Sequence, residues 1–213
     1  MKPIIYMGVI STILGFFGCS SNSNKSDKVT EDFNDQITQS IENFNNRPIH
    51  RVLTKKLIET TLDDNLLQVV FDNLSEKIPE DYNKEYEVVT GWNNSRQAIY
   101  LIWILEAEVN NGGYNQFYFN SSGRYYKKLP KALRLVGANK FGELTERSNN
   151  LFEAASDNIK KHQDGTLEGF SESYDDNPLN DLDDEFYELY KLEELHQIQI
   201  EYIRNNIEQF IDR

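Results

Sequence analysis

A single cysteine, Cys19, occurs among the 213 residues, so no intramolecular disulfide can staple the fold. Nor is there an apolar stretch long enough for a membrane-spanning helix, which needs about 20 residues. The longest, Ile4 to Phe17, falls short of that. Basic residues are in deficit, 22 against 35 acids, and the formal net charge is -13. Such a field repels phosphates and argues against nonspecific nucleic-acid binding; a partner chosen by electrostatics is basic: a cationic protein, a polyamine or a metal ion. Also missing are a Gly-x-Ser-x-Gly elbow, a phosphate loop, a hairpin signal and an internal repeat.

What is present suffices for a self-supporting core: 38% hydrophobic and 12% aromatic residues. At the start, Met1-Lys2 precedes the apolar run, and Gly18-Cys19-Ser20-Ser21 follows it. This order resembles a bacterial lipoprotein leader, with Phe16 where such leaders usually carry Leu. The resemblance implies removal of residues 1–18 and acylation of Cys19, by palmitate or a similar chain, as the new amino terminus. The expected location is the cell envelope, at the periplasmic or surface side of the outer membrane, with contact to the bilayer through the lipid. Residues 19–50 read as a tether: Ser20 to Lys28 has no apolar residue, while Phe33, Ile37, Ile41 and Phe44 have the spacing of a short helix. Residues 51–213 form the domain.

The periodicity of that domain is helical throughout, which predicts an all-α fold, a compact multi-helix bundle around a buried central helix at about 98–110. From Leu57, the residues Leu62, Leu66, Val69 or Val70 and Asn73 or Leu74 fall on one stripe that ends before Pro79. Ala98 to Leu105 is apolar on every side, the mark of a helix buried all round; Ser95 suits its N-cap and Gly112-Gly113 its C-terminal stop. Leu129, Leu133 and Val136 share one face, opposite Lys127, Lys131 and Arg134, and Gly137 closes that segment. The last helical stretch, from about Asp183 to Phe210, is expected to break near Lys191, with Asp181 or Asp183 as its cap.

Charge is polarised along the chain. Asp164, Glu168, Glu172, Asp175, Asp176, Asp181, Asp183, Asp184, Glu185, Glu188, Glu193 and Glu194 meet one base, Lys191, in the same interval. Between Arg124 and Arg147 the bases dominate, which predicts two solvated faces that partly neutralise one another. The exposed acids Asp175, Asp176, Asp181, Asp183, Asp184, Glu185 and Glu188 are the candidate partner-binding surface.

Polar residues crowd the end of the central helix in the order Trp103-x-x-Glu106-x-Glu108-Val109-Asn110-Asn111-Gly112-Gly113-Tyr114-x-Gln116-Phe117-x-Phe119-Asn120-Ser121-Ser122-Gly123. With Ala132-Leu133, Gly137-Ala138 and Leu182 to Tyr187, this string resembles the bacterial acidic DNA-mimic protein family. The resemblance implies an all-α domain and, for its best-known member, a homodimer that presents carboxylates in place of DNA phosphates to a DNA-binding protein.

Two readings of the string remain open. In one, Glu106 or Glu108 accepts backbone N–H groups of the Asn111-Gly112-Gly113 turn, while Gln116 and Asn120 fix the following segment. In the other, Glu106, Glu108, Gln116 and Asn120 line a small polar pocket, of an enzyme or a ligand receptor, walled by Trp103, Tyr114 and Phe117. The two glutamates lie on different sides of a helix, which does not suit acid–base work on one substrate. Glu193-x-x-His196 lacks the second pair and further glutamates of a di-iron site, and Asp175 to Glu185 lacks the spacing of a calcium loop. No catalytic residue, metal ligand or cofactor is therefore expected.

Overall fold

The computed structural model describes residues 36, 38–162, 166–175 and 177–212, with the backbone alone for 156–160 and 167. The leader, Cys19 and the Ser20 to Lys28 tether lie outside the described residues, as do Phe33 and Ile37. The chain divides into two units, Met1–Ile49 and His50–Arg213. In the first, a helix (α1, 38–45) is followed by Arg47, whose guanidinium packs 3.6 Å above the Phe44 ring.

All regular structure described in the second unit is helical: α2 Lys55–Thr60, α3 Asp63–Glu76, α4 Glu85–Gly91, α5 Asn94–Phe119, α6 Leu129–Val136, α7 Asn139–Lys160, α8 Leu167–Glu172, α9 Asn180–Leu189 and α10 Leu195–Asn205, with 3-10 turns at Tyr82–Lys84, Ser121–Lys128 and Ile207–Gln209. The expected all-α bundle is what forms. At its centre runs α5, packed against α3, α6, α7 and α9. Ala98, Ile99, Tyr100, Leu101, Ile102, Leu105 and Val109 are all buried, whereas Trp103 and Ile104 of the same apolar run are only partly covered. Asn93 caps it by accepting the Arg96 N–H. Ser95, the expected cap, lies inside the first turn and bonds the Tyr202 hydroxyl at 2.7 Å.

Two boundaries differ from expectation for local reasons. The stripe from Leu57 to Leu74 is two helices, because the Thr61 hydroxyl donates back to Leu57 O and the chain turns extended at Thr61 and Leu62. Leu62 is 72% exposed and belongs to no core stripe. Asp63 and Asp64 then open α3, where acids suit the positive end of the helix dipole. The C-terminal stretch does break around Lys191. There Glu193 turns back, and its carboxylate accepts the Lys140 and Phe141 N–H groups at the start of α7. Between α6 and α7, Gly137 has φ 103°, a left-handed position that favours glycine.

The chain end is clasped to this frame by Asp212, which accepts from Leu53 N, Asn73 Nδ2, Lys77 Nζ and Arg96 Nη2. Burial raises the Asp212 carboxyl, but the Leu53 N–H and the Lys77 and Arg96 cations outweigh it and hold the group below the usual carboxylate range. A depressed native value contributes stability above the unfolded value and loses it as pH falls through the native one. Asp212→Ala leaves the mostly buried Arg96 and Lys77 cations unpaired and is expected to cost about 3 kcal/mol in denaturant unfolding at neutral pH. The deficit should shrink in acid.

Candidate functional site: a broken helix latched by α9

Gly112 and Gly113 do not end α5, contrary to the expected C-terminal stop; they break it, and the helix resumes through Phe119. At Gly113 the backbone has φ 68° and ψ -176°, open to glycine and little else. A Cβ on Gly113 would also lie 2.0 Å from Asp183 Oδ2. A break inside a protein orphans backbone groups, and here side chains from the α8–α9 region satisfy them. Tyr114 N–H donates to Asp183 Oδ1 at 2.7 Å. The Tyr187 hydroxyl donates to Val109 O at 2.8 Å and the Tyr174 hydroxyl to Gly112 O at 2.7 Å. The helix resumes because its new N-terminus has an acceptor.

The two glutamates of the string serve different partners, and neither caps the Asn111-Gly112-Gly113 turn. Glu108 accepts three side-chain donors: Gln116 Nε2 at 2.7 Å, Asn120 Nδ2 at 2.8 Å and Ser122 Oγ at 2.8 Å. It thereby brackets both halves of α5 and the turn that follows. Asn111 Nδ2 donates to Gln116 Oε1, extending the bracket. Glu106 turns instead to Tyr190, the residue just past α9, and to α10, taking the Tyr190 hydroxyl and Gln199 Nε2, each at 2.9 Å, while Asn110 Nδ2 donates to the Tyr190 oxygen. Burial pushes the Glu106 carboxyl up to about 7, against the lowering effect of those two donors. Trp103 stacks on Phe71 of α3 at 4.3 Å, whereas Tyr114 meets Phe186 of α9 edge-on, so the expected pocket walls face different neighbours.

Beyond the break, polar side chains of α5 are matched by residues no local pattern could pair. The Tyr114 hydroxyl bonds Thr145, and the Tyr118 hydroxyl bonds Ser148 and Asn149, all on α7. Asn115, fully buried, donates to Ser173 Oγ and accepts from Asn177 Nδ2. Sequence reasoning missed these partners, along with Tyr174, Tyr187, Tyr190 and Gln199. One signal was visible: Asp183, Tyr187 and Tyr190 recur at four and three residues, a helical stripe of polar-tipped side chains. Two surface grooves of about 310 and 290 Å³ lie elsewhere, lined by Val136, Ile198 and Tyr202 in one case and by Tyr126, Lys131 and Asn149 in the other. Glu108 and Glu106 thus each take hydrogen bonds from inside the domain.

The acidic segment separates into inward and outward groups. Asp183 is an inward one, which corrects its assignment to a partner-binding surface. It caps the second half of α5; its own helix starts after Leu179 without a side-chain cap, so neither Asp181 nor Asp183 has the expected role there. Asp176 lies outside the described residues. Asp175, Asp181, Asp184, Glu185 and Glu188 are exposed. Glu185 pairs with Arg147 and Glu188 with Lys191, whereas Arg134 pairs with Glu146 and Lys127 with Glu153. The basic segment is thus neutralised from several sides, by Glu146 and Glu153 of α7, by Glu185 of α9 and, at Arg124, by Glu85 of α4. Among the described residues no group of three His, Cys, Asp or Glu could hold a metal, and no helix is long and apolar enough to cross a membrane.

Residues 90–206, more than half of the chain, match the family model of DMP19-like proteins. No curated protein and no solved structure matches. The matched span includes α5 to α10 and therefore the whole break and its latch.

Glu108 offers a direct check on the bracket. Glu108→Ala orphans three donors and is expected to lower the unfolding free energy by about 2 kcal/mol. Glu108→Gln keeps one acceptor oxygen, and its amide can donate to the Ser122 hydroxyl, so its loss should stay under about 1 kcal/mol. Denaturant midpoints of the two variants make the comparison.

Proposed function

Because the chain belongs to the DMP19-like family, we propose that it is a lipid-anchored acidic helical protein that binds a basic protein surface without catalytic turnover. The observation that carries this reading is the outer face of α9, where Asp181, Asp184, Glu185 and Glu188 are exposed on a helix whose inner face is latched to α5. A rigid acidic helix loses little conformational entropy on meeting a partner. Its ion pairs to Arg147 and Lys191 are solvent-facing, of a kind worth about 0–1 kcal/mol, and a partner's cations can replace them.

The charge density sets a scale for mimicry. Over the rise from Asp181 to Glu188, about 10 Å, α9 offers four carboxylates, whereas duplex DNA carries about six charges over that length. One copy therefore resembles a short stretch of phosphates, and a homodimer of the kind the family resemblance implies would lengthen it. Export bears on the partner as well: behind a lipoprotein-type leader the protein would meet basic proteins of the envelope, with Cys19 carrying the acyl chain.

Two measurements test these points. Partners captured on the leader-free chain should release as salt is raised, and Asp181→Asn, Asp184→Asn and Glu188→Gln together should weaken capture at least tenfold while leaving the melting temperature near that of the wild type. Capture indifferent to both salt and these substitutions overturns the acidic-surface reading. For the anchor, Cys19→Ala should abolish labelling with a palmitate analogue in cells, and unchanged labelling would refute it.

A further inference from the structure

The break in α5 is entered through Asn111, and in the whole sequence this is the one asparagine that a glycine follows. It is exposed, at the last helical position before the discontinuity, and its Nδ2 donates to Gln116 Oε1 at 2.8 Å. Packing accounts for both members of the pair. Asparagine supplies the donor that Gln116 accepts. Glycine follows because a Cβ at position 112 would lie 2.4 Å from Gln116 Oε1 and 2.7 Å from the Tyr174 hydroxyl oxygen. The break therefore sets an amide side chain beside a peptide nitrogen that no Cβ shields.

We propose that Asn111-Gly112 is a self-modification site, at which Asn111 converts to aspartate and isoaspartate with water as the sole co-reactant. The Gly112 nitrogen gives its proton to solvent and attacks Asn111 Cγ. As the N–Cγ bond forms, the Cγ–Nδ2 bond breaks, and Nδ2 takes up a proton from water and leaves as ammonia. A second water opens the five-membered imide. Cleavage of the new N–Cγ bond gives aspartate; cleavage of the original peptide bond gives isoaspartate, whose main chain runs through Cβ and Cγ. One amide is exchanged for one carboxylate, with no change of oxidation state.

Helix geometry sets the condition for the attack. A helical side chain leans toward the N-terminus, away from the peptide nitrogen that follows it, so ring closure needs Asn111 to leave the helical conformation. Within a continuous helix that departure breaks bonds in the turns on both sides. After Asn111 the ladder is already interrupted, with Gly112 at φ -161° and ψ 33° and Gly113 at φ 68° and ψ -176°. Opening there is local, and water reaches the exposed Asn111 directly.

The products bear on the bracket and on the latch. A carboxylate at position 111 has no hydrogen to give Gln116 Oε1, and Gln116 can serve it only by turning away the Nε2 that donates to Glu108 at 2.7 Å. The new charge also stands three residues from Glu108 on the same helix, where like charges repel. Isoaspartate adds a carbon to the main chain directly before Gly112. That shifts the Gly112 oxygen that accepts from Tyr174 and the Tyr114 N–H that donates to Asp183. The rigid α9 thus belongs to the unmodified chain, and conversion loosens its hold on α5. The conversion is independent of the acidic-surface reading, since it involves no partner.

The test is to age the full chain in mildly alkaline and mildly acidic buffer and to map its peptides by mass. Amide loss should appear at Asn111 as two isomeric products, faster in the alkaline buffer, and about tenfold ahead of every other asparagine between His50 and Asp212. The denaturant midpoint should fall as the products accumulate. Asn111→Gln, whose amide sits one carbon farther from the Gly112 nitrogen, should keep its midpoint on ageing. No amide loss at Asn111, loss there no faster than at other asparagines, or equal rates in the two buffers would overturn the site. An unchanged midpoint in the converted chain, or an equal fall in Asn111→Gln, would overturn the loosening. Should the variant misfold, the peptide map and midpoint of the wild-type chain decide both points.

Discussion

The rest of the molecule depends on the interruption of α5 at Gly112-Gly113 and on the side chains that make it tolerable. An unbroken helix of 26 residues would run straight for about 39 Å. Re-aimed at the break, its second half brings Tyr114, Asn115 and Tyr118 against α7 and the Ser173–Asn177 turn. Breaking a buried helix exposes unpaired carbonyls and an N–H, each costing roughly 1–3 kcal/mol if left bare. Asp183, Tyr187 and Tyr174 remove that penalty, so α9 and the turn before it are parts of the central helix in an energetic sense.

One consequence is that α9 has two faces with opposed duties. Its inner stripe fastens it to α5; its outer stripe carries the charge that, on the reading proposed above, meets a partner. Asp183 and Asp184 are adjacent in sequence and belong to different faces. Treating the acidic segment as one surface conflates a structural cap with solvated charge. A similar separation holds for Glu106 and Glu108, two residues apart, one serving Tyr190 and α10 and the other serving its own helix.

Much of the architecture was legible in the residues themselves. The run Ala98 to Leu105 identified the central helix because only burial on all sides suits such a stretch, and Leu129, Leu133 and Val136 marked the core face of α6. Gly137 marked a left-handed cap, and the break expected near Lys191 forms between Leu189 and Leu195. The site was less legible. A double glycine after a helix reads as a stop, since locally nothing satisfies the groups it orphans; that it is a break follows only from donors and an acceptor some 60 to 80 residues onward.

Composition and periodicity alone determined that this chain is all-helical, free of disulfides, acidic and built around one apolar helix, because these properties depend on residue type and spacing within a few turns. The string from Glu106 to Gly123 likewise identified the family. Tertiary structure decided what those residues do. Whether a carboxylate is a cap, a bracket, a buried acid or a surface charge depends on which donors and how much water surround it, and those neighbours arrive from α7, α9 and α10. The same Asp reads as exposed charge in sequence and as a helix cap in the fold, because the N–H it accepts lies 69 residues away.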